Sequence, residues 1–313
     1  MKVVVTGASG FLGRQVYAEL SKRNIDVKGL AFSRGTDGLI QLDLNDASAT
    51  KQLLESLSPT VVIHCAAERK PDVCERTPSV ARALNVVATE NLAKLSSLLG
   101  FTVIYISTDY VFPGNAPEPD GYDVNDEPAP TNLYGETKHE GEKVVLEAEE
   151  RGGAKVTVLR VPVLYGPAHS NSESAVNCLY DVVLKAAKKE KAAKMDDWAA
   201  RYPTNTKDIA RVLADLTELS SKQSLPAILQ FSAQERFTKF EISQIFARSH
   251  SPPLVLDEQE WFVRDSAGPQ PGDTIRPKDC HLSNRALKEL GIDCSTAQTF
   301  EEWSKEFVKG QAE

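Results

Sequence analysis

The segment VVVTGASGFLG, residues 3–13, constrains the fold of this chain more than any other. A short β-branched run breaks into Gly7, Gly10 and Gly13 just where a helical pattern begins. Each glycine meets a separate need. Gly7 permits a tight turn, Gly10 lets backbone approach a diphosphate, and Gly13 lets helix and strand pack closely. The start of the helix then presents free N–H groups and a partial positive charge to an anion. A glycine turn with no ligand would use the same residues, but a strand–turn–helix at the start of a β/α alternation favours the phosphate reading. Thr6, Ser9, Phe11 and Leu12 complete this candidate cradle for a dinucleotide.

That alternation continues through the first half. Apolar runs at 2–6, 26–31, 39–42, 60–65, 101–107 and 155–161 are separated by helical patterns near 11–23, 46–57, 79–99 and 132–150. Buried strands alternating with helices predict an α/β fold, a doubly wound parallel sheet covered on both faces. After about residue 165 the rhythm changes to helical patterns near 173–190, 206–221 and 238–249, separated by proline-bearing loops. The expected organisation is a nucleotide-binding domain over 1–165 and a smaller substrate-binding lobe over 166–313, with segments returning to the main sheet.

Composition narrows the partners. The chain has 313 residues with a formal net charge of -8, which argues against nucleic acid or an anionic membrane as the main partner. Cys65, Cys74, Cys178, Cys280 and Cys294 are odd in number and scattered, so a reducing, cytoplasmic compartment is expected. The opening residues turn to Gly and Ser too early for a signal-peptide core. No apolar run approaches the ~20 residues that a bilayer requires. His64, His139, His169, His250 and His281 show no metal spacing, so no metal site is assigned. The lysine-rich run at 185–194 reads as a solvated helical face or a connection.

The chemistry centres on Tyr134 and Lys138, which stand at i and i+4 and share one helical face. A tyrosine with pKa near 10 is a poor acid–base at neutral pH. A nearby ammonium favours the phenolate and is expected to bring that value down. Alone the pair is weak, since any solvated helix can carry it. Thr108 and Asp109, at the C-terminal end of the fifth strand, place a hydroxyl and a carboxylate where ligands of such sheets bind. The second strand ends GLAFSRG without an acid, so Ser33 and Arg34 suit a ribose 2′-phosphate and favour NADP(H) over NAD(H), unless Arg34 sits in solvent.

The glycine spacing resembles that of the extended short-chain dehydrogenase/reductase superfamily over at least residues 1–166. The resemblance implies that Lys138 holds the nicotinamide ribose and that Asp43, followed by Leu44, accepts from the adenine amine. A helix-capping role competes at that point, through Asn45 or Asp46. It also implies a cofactor floor of Cys65, Ala66 and Ala67, Asn85 near the lysine, and Val161, Pro162 and Val163 at the carboxamide. Cys65 reads as a small filler rather than a nucleophile.

Within that superfamily, STDYVFPG and EPAPTNLYGETKHEGEKVV resemble the dTDP-4-dehydrorhamnose reductases. CAAERKPDVCE, LRVPVLYG, ESAV, DDWAARYPTNTKDIA and FTKFEI look more like the regulatory β subunits of methionine adenosyltransferase, over residues 1 to about 292. This resemblance implies an NADP(H)-binding partner of a methionine adenosyltransferase catalytic subunit that retains Thr108, Tyr134 and Lys138. The alternatives are a working NADPH-dependent reductase of a nucleotide-linked 4-keto sugar, or a cofactor-bound sensor. Trp198, Arg201 and Tyr202 are expected on a loop facing the cofactor. Arg201 and Arg276 could each pair a diphosphate or an internal carboxylate. The tail after Leu290 is only loosely similar to the tail with which those subunits dock. Phe300, Trp303 and Phe307 form a helical stripe expected to close this protein's own core.

Overall fold

Successive residues of a strand point to opposite faces, and in this chain both faces are apolar. Val3 and Val5 enter one buried cluster with Val61, Ile63, Ile104, Ile106, Leu159 and Val161. Val4 enters another with Val62, Val103, Tyr105, Val156 and Val158. A sheet sandwiched between two helical layers is the consequence. The computed structural model describes residues 1–32, 38–117 and 119–312.

Strands β1 (Lys2–Thr6), β2 (Asp26–Ala31), β3 (Ile40–Gln41), β4 (Val61–His64), β5 (Thr102–Thr108) and β6 (Lys155–Val161) form the first part of the chain. Among them run α1 (Phe11–Lys22), α2 (Ala47–Leu57), α3 (Pro71–Arg76), α4 (Pro78–Arg82), α5 (Ala88–Leu99) and α6 (Leu133–Glu150). Beyond them come β7 (Leu164–Tyr165), α7 (Cys178–Ala187), β8 (Ala193–Asp196), β9 (Thr204–Asn205), α8 (Thr206–Ser220) and β10 (Ile228–Gln230). The chain ends with α9 (Lys239–Arg248), β11 (Phe262–Asp265), α10 (Arg285–Glu289) and α11 (Phe300–Ala312).

The main sheet runs β10-β6-β5-β4-β1-β2-β3, and every pairing in it is parallel. Strand order reverses between β1 and β4, where doubly wound sheets open a crevice at the carboxyl ends of the strands. Register pairs Thr6 with His64, His64 with Tyr105, and Thr108 with Val161. The residues expected to carry function therefore rise along one edge of the sheet. Helices α1 and α8 cover one face and α2, α5 and α6 the other. Helices α7, α9 and α11 enclose a separate aromatic cluster, to which Phe300 and Trp303 contribute and against which Phe307 packs. The apolar stripe of α11 is thus spent inside this chain. No helix among the described residues is long and apolar enough to cross a membrane.

Helix boundaries follow local chemistry. Asn132 caps α6 by accepting from Gly135 N at 3.0 Å, and Asp46 caps α2 by accepting from Ala49 N at 2.9 Å. Thr238 and Glu241 close a reciprocal capping box on α9. The helix expected over 79–99 differs. Pro71 and Pro78 each start a short helix, and residues Ala83–Val87 form a π-helical turn before α5. Proline is preorganised for a first helical turn but cannot continue the preceding one. The lysine-rich run at 185–194 is likewise not one helical face. Helix α7 ends at Ala187, Lys189 takes a left-handed φ of 58°, and β8 begins at Ala193.

One buried ion pair joins α6 to β6 behind the future site. Arg160 and Glu142 are each 1% exposed and meet through two contacts of 2.9 and 2.8 Å. The guanidinium also lies 5.0 Å from the centre of the Phe112 ring. Burial alone would raise the Glu142 carboxyl, but Arg160 and His139 overcome it and bring it from 4.5 to about 2. Because this pKa is depressed in the folded state, its stabilisation is whole above pH 4.5 and is lost as pH falls toward 2. Arg160→Met leaves a buried unpaired carboxylate and should cost about 3–5 kcal/mol in urea unfolding at neutral pH. A loss below about 1 kcal/mol would show that the pair does not hold α6 to the sheet.

Candidate active site

The crevice is built first by close backbone approach. Gly7 has φ +63°, and a Cβ there would lie 2.9 Å from Ala66 Cα. A Cβ on Gly13 would run into the Gly7 carbonyl. One on Gly10 would meet only the Gly7 carbonyl, at 3.0 Å, so the outer side of the turn stays open. That open, amide-rich turn at the start of α1 suits a diphosphate. Arg14 clamps the loop, donating to Ser9 O at 3.0 Å and pairing with Glu173 at 2.7 Å.

Beneath it runs a buried chain of polar contacts. Thr6 Oγ1 meets His64 Nδ1 at 2.7 Å, and His64 Nε2 meets Thr89 Oγ1 at 3.1 Å. Thr89 donates in turn to Asn85 O, so Nε2 carries the imidazole proton and Nδ1 accepts. Burial, helped by the Lys138 charge, lowers His64 to about 3 and keeps it neutral. The Thr6 hydroxyl is committed to this network and to Ala66 N. Thr6 therefore braces the carboxyl ends of β1 and β4 rather than facing the cavity.

Asn85 has the same bracing character. It occupies the π-helical turn, is 1% exposed, accepts from Glu68 N and donates to Glu68 O and Thr137 Oγ1. Its amide ties the segment after β4 to α6. A π-turn there widens the helix locally and aims that amide inward. Gly141 completes the fit, since a Cβ on it would strike Asn85 O and the Tyr105 hydroxyl.

These supports surround a cavity of ≈ 430 Å³. Its wall brings together Leu12, Cys65, Ala67, Thr108, Asp109, Tyr134, Lys138, Val161, Pro162 and Val163. It also includes Arg201 and Arg276, which come from distant parts of the chain. Cys178, Lys239 and Arg69, which residue pattern did not single out, are there too. The capping box TKFE could have pointed to Lys239, because it places that lysine on the first turn of α9. Seven cationic side chains line this wall against three acidic ones. Arg201 is 6% exposed and donates to Ala200 O at 2.8 Å. Its Nη2 stands 3.8 Å from Asp196 and has no hydrogen-bond partner. Arg276 instead pairs with Asp72 through two contacts of 2.9 Å. Burial pushes the Cys65 thiol up to about 12, consistent with a packing role.

Several expected residues lie elsewhere. Trp198 is not on the cavity wall; it sits against Gly268 with the Lys278 ammonium 5.9 Å from its ring. Tyr202 is buried and stacks on His281 with ring centres 4.3 Å apart. Asp46, not Asn45, caps α2, while the exposed Asp43 carboxylate accepts from Asn45 N at 2.9 Å. Leu44 and Phe11 are core residues. Ser33 and Arg34 lie outside the described residues.

The electrostatics of the Tyr134–Lys138 pair reverse the expectation. Burial raises the Tyr134 phenol well above its ordinary value, more than the Thr108 hydroxyl lowers it. Burial likewise lowers Lys138 from 10.5 to about 7 despite Glu142. The ammonium lies 4.0 Å above the Tyr105 ring, sharing its charge with that π-face. Desolvation outweighs attraction here: Lys138 is 2% exposed, and Tyr134 is half-buried in the cavity wall. The phenol is therefore held protonated at neutral pH and has a proton to give, but as a weaker acid than a free tyrosine until a bound ligand alters its surroundings.

Known proteins resemble this arrangement at three levels. The family profile for the RmlD substrate binding domain matches residues 1–310. Methionine adenosyltransferase 2 subunit beta of Xenopus tropicalis is 42% identical over 292 residues, 93% of this chain and 83% of that protein. The solved structure of dTDP-4-dehydrorhamnose reductase from Bacillus anthracis, in complex with NADP, superposes with a TM-score of 0.78 at 26% identity, covering 99% of each chain.

Proposed function

The chain belongs to the family of methionine adenosyltransferase 2 subunit beta, within the RmlD substrate binding domain proteins, and we propose that it is an NADP(H)-binding regulatory subunit of methionine adenosyltransferase. The 42% identity over 93% of the chain carries this reading. Its place is the cytoplasm, where five unpaired cysteines stay reduced. Helix α11 buries its aromatic stripe internally, so the catalytic partner docks on another surface. A purified methionine adenosyltransferase catalytic subunit should co-elute with this chain in the presence of NADPH. Failure to co-elute at micromolar concentrations of both would sink the regulatory reading.

In this proposal Gly7, Gly10 and Gly13 receive the pyrophosphate, and Ser33 with Arg34 receives the 2′-phosphate. Asp43 serves the adenosine end, while Lys138 and Val163 hold the nicotinamide end. Support comes from the open glycine turn, the cationic wall and the absence of an acid where β2 ends. Calorimetric titration should show NADPH preferred to NADH, with Arg34→Ala weakening NADPH about tenfold or more and leaving NADH unchanged. Equal loss for both dinucleotides would remove Arg34 from the selectivity argument.

A second reading is favoured by one observation: Thr108, Tyr134 and Lys138 share the cavity wall. In it the protein reduces a nucleotide-linked 4-keto sugar. A bound NADPH would supply hydride, Tyr134 would protonate the carbonyl oxygen, Thr108 would orient it, and Arg201 would meet the substrate's anionic part. NADPH consumption with a dTDP-4-keto sugar should then fall by about two orders of magnitude or more in Tyr134→Phe. Undiminished turnover in that variant would take the proton-donor role from Tyr134.

A further inference from the structure

The proposed chemistry leaves one buried acid on the cavity wall without a role. Asp109 is 7% exposed and follows Thr108 at the carboxyl end of β5. Thr108 Oγ1 donates to Asp109 Oδ1 at 3.0 Å and accepts from Tyr110 N at 3.2 Å. Tyr134 lines the same cavity wall, and the Thr108 hydroxyl acts on its phenol by lowering its pKa. A hydroxyl owns a single proton. While Asp109 is ionised, that proton is committed to the carboxylate, and Thr108 has only a lone pair for Tyr134. Once Asp109 is protonated it can donate to Thr108, and the Thr108 proton is released toward the phenol.

The groups around Asp109 come from four directions. Thr108 and Tyr110 flank it in the chain, Tyr134 faces it from α6, Arg201 approaches from the segment before β9, and Cys280 from the segment before α10. Arg276 acts on the neighbouring Tyr110. Burial is the largest influence; the Thr108 hydrogen bond and the Arg201 charge oppose it, and Asp109 rises from 3.8 to about 7. Both protonation states are therefore populated near neutral pH.

We propose that Asp109 is a positioning residue that sets, through Thr108, the direction of hydrogen bonding at the Tyr134 phenol and returns to that phenol the proton it gives up. The proposal rests on the reading of Thr108, Tyr134 and Lys138 as a reductase-type site. After Tyr134 passes its proton to a substrate oxygen, the Asp109 O–H bond breaks as a new Thr108 O–H forms. The original Thr108 O–H breaks as the Tyr134 O–H is restored. No electrons change hands, and Asp109 is left as a carboxylate that solvent reprotonates. Above the pKa of Asp109 the reserve is empty and the Thr108 proton is withheld.

The relay can be read without any substrate. Carbon-13 NMR of the full chain labelled at the tyrosine ζ-carbon, with Tyr134 assigned through Tyr134→Phe, follows the phenol across neutral pH. The expected result is a Tyr134 inflection near pH 7 that disappears in Asp109→Asn and in Thr108→Val and persists in Thr108→Ser. No inflection in the unmodified protein, or one surviving in Asp109→Asn, overturns the proposal even if Thr108→Val does not fold. An inflection retained by folded Thr108→Val would mean a through-space charge effect, and overturns it too. Calorimetric NADPH binding on the same samples separates the two readings. Binding without the inflection defeats only the relay, and the inflection without binding defeats only the dinucleotide reading.

Discussion

The architecture depends on backbone being allowed to touch backbone where strand order reverses. Gly7 lies against Ala66 and Gly13 beneath the Gly7 carbonyl, at separations that no Cβ could share. This contact seats α1 on the sheet, levels the carboxyl ends of β1 and β4, and leaves amides free at the mouth of the crevice. The polar chain Thr6–His64–Thr89 continues the constraint inward, and Asn85 carries it across to α6. Catalytic-type residues on α6 are thus placed by groups that face no ligand themselves.

Burial is the second organising influence. The chain carries a net charge of -8, yet its cavity wall holds more cations than acids. Charge has been sorted, with acids distributed over the surface and cations gathered from β4–α3, α6, α9 and two loops. Inside that enclosure desolvation decides the titration of four groups. It raises Tyr134 and Asp109 and lowers Lys138 and His64. Glu142, Glu173 and Arg201 shift against it, Glu142 because Arg160 meets it through two contacts. The result is a site where Lys138 and Asp109 titrate near neutrality beside a phenol that stays protonated.

Much of this was legible in residue pattern, and the failures share a cause. Strands β2 and β6 begin and end where their apolar runs do, and α6 starts one residue inside the span its pattern gives. The doubly wound sheet followed from the alternation, and the likeness to reductases from the glycine spacing and the segments around Thr108 and Tyr134. The π-turn at Ala83–Val87 carries no local signal, since it reflects packing against α6. Trp198 was expected at the cavity but lies against Gly268, because loop direction is set by contacts far away in the chain. The Tyr134–Lys138 spacing was read correctly as a shared face, while its electrostatics were not. Spacing along a helix conveys proximity but not dielectric.

Local chemistry written in the chain therefore determined the strand–turn–helix cradle, the α/β alternation, the caps of its helices and the family to which it belongs. Those features need only neighbouring residues and the period of a strand or a helix. Tertiary structure alone decided that Arg201, Arg276 and Lys239 line one cavity with Tyr134, that α11 closes on its own chain, and which protonation states the cavity favours. Each of these depends on groups far apart in sequence excluding water together, and exclusion of water is a property of the assembled interior.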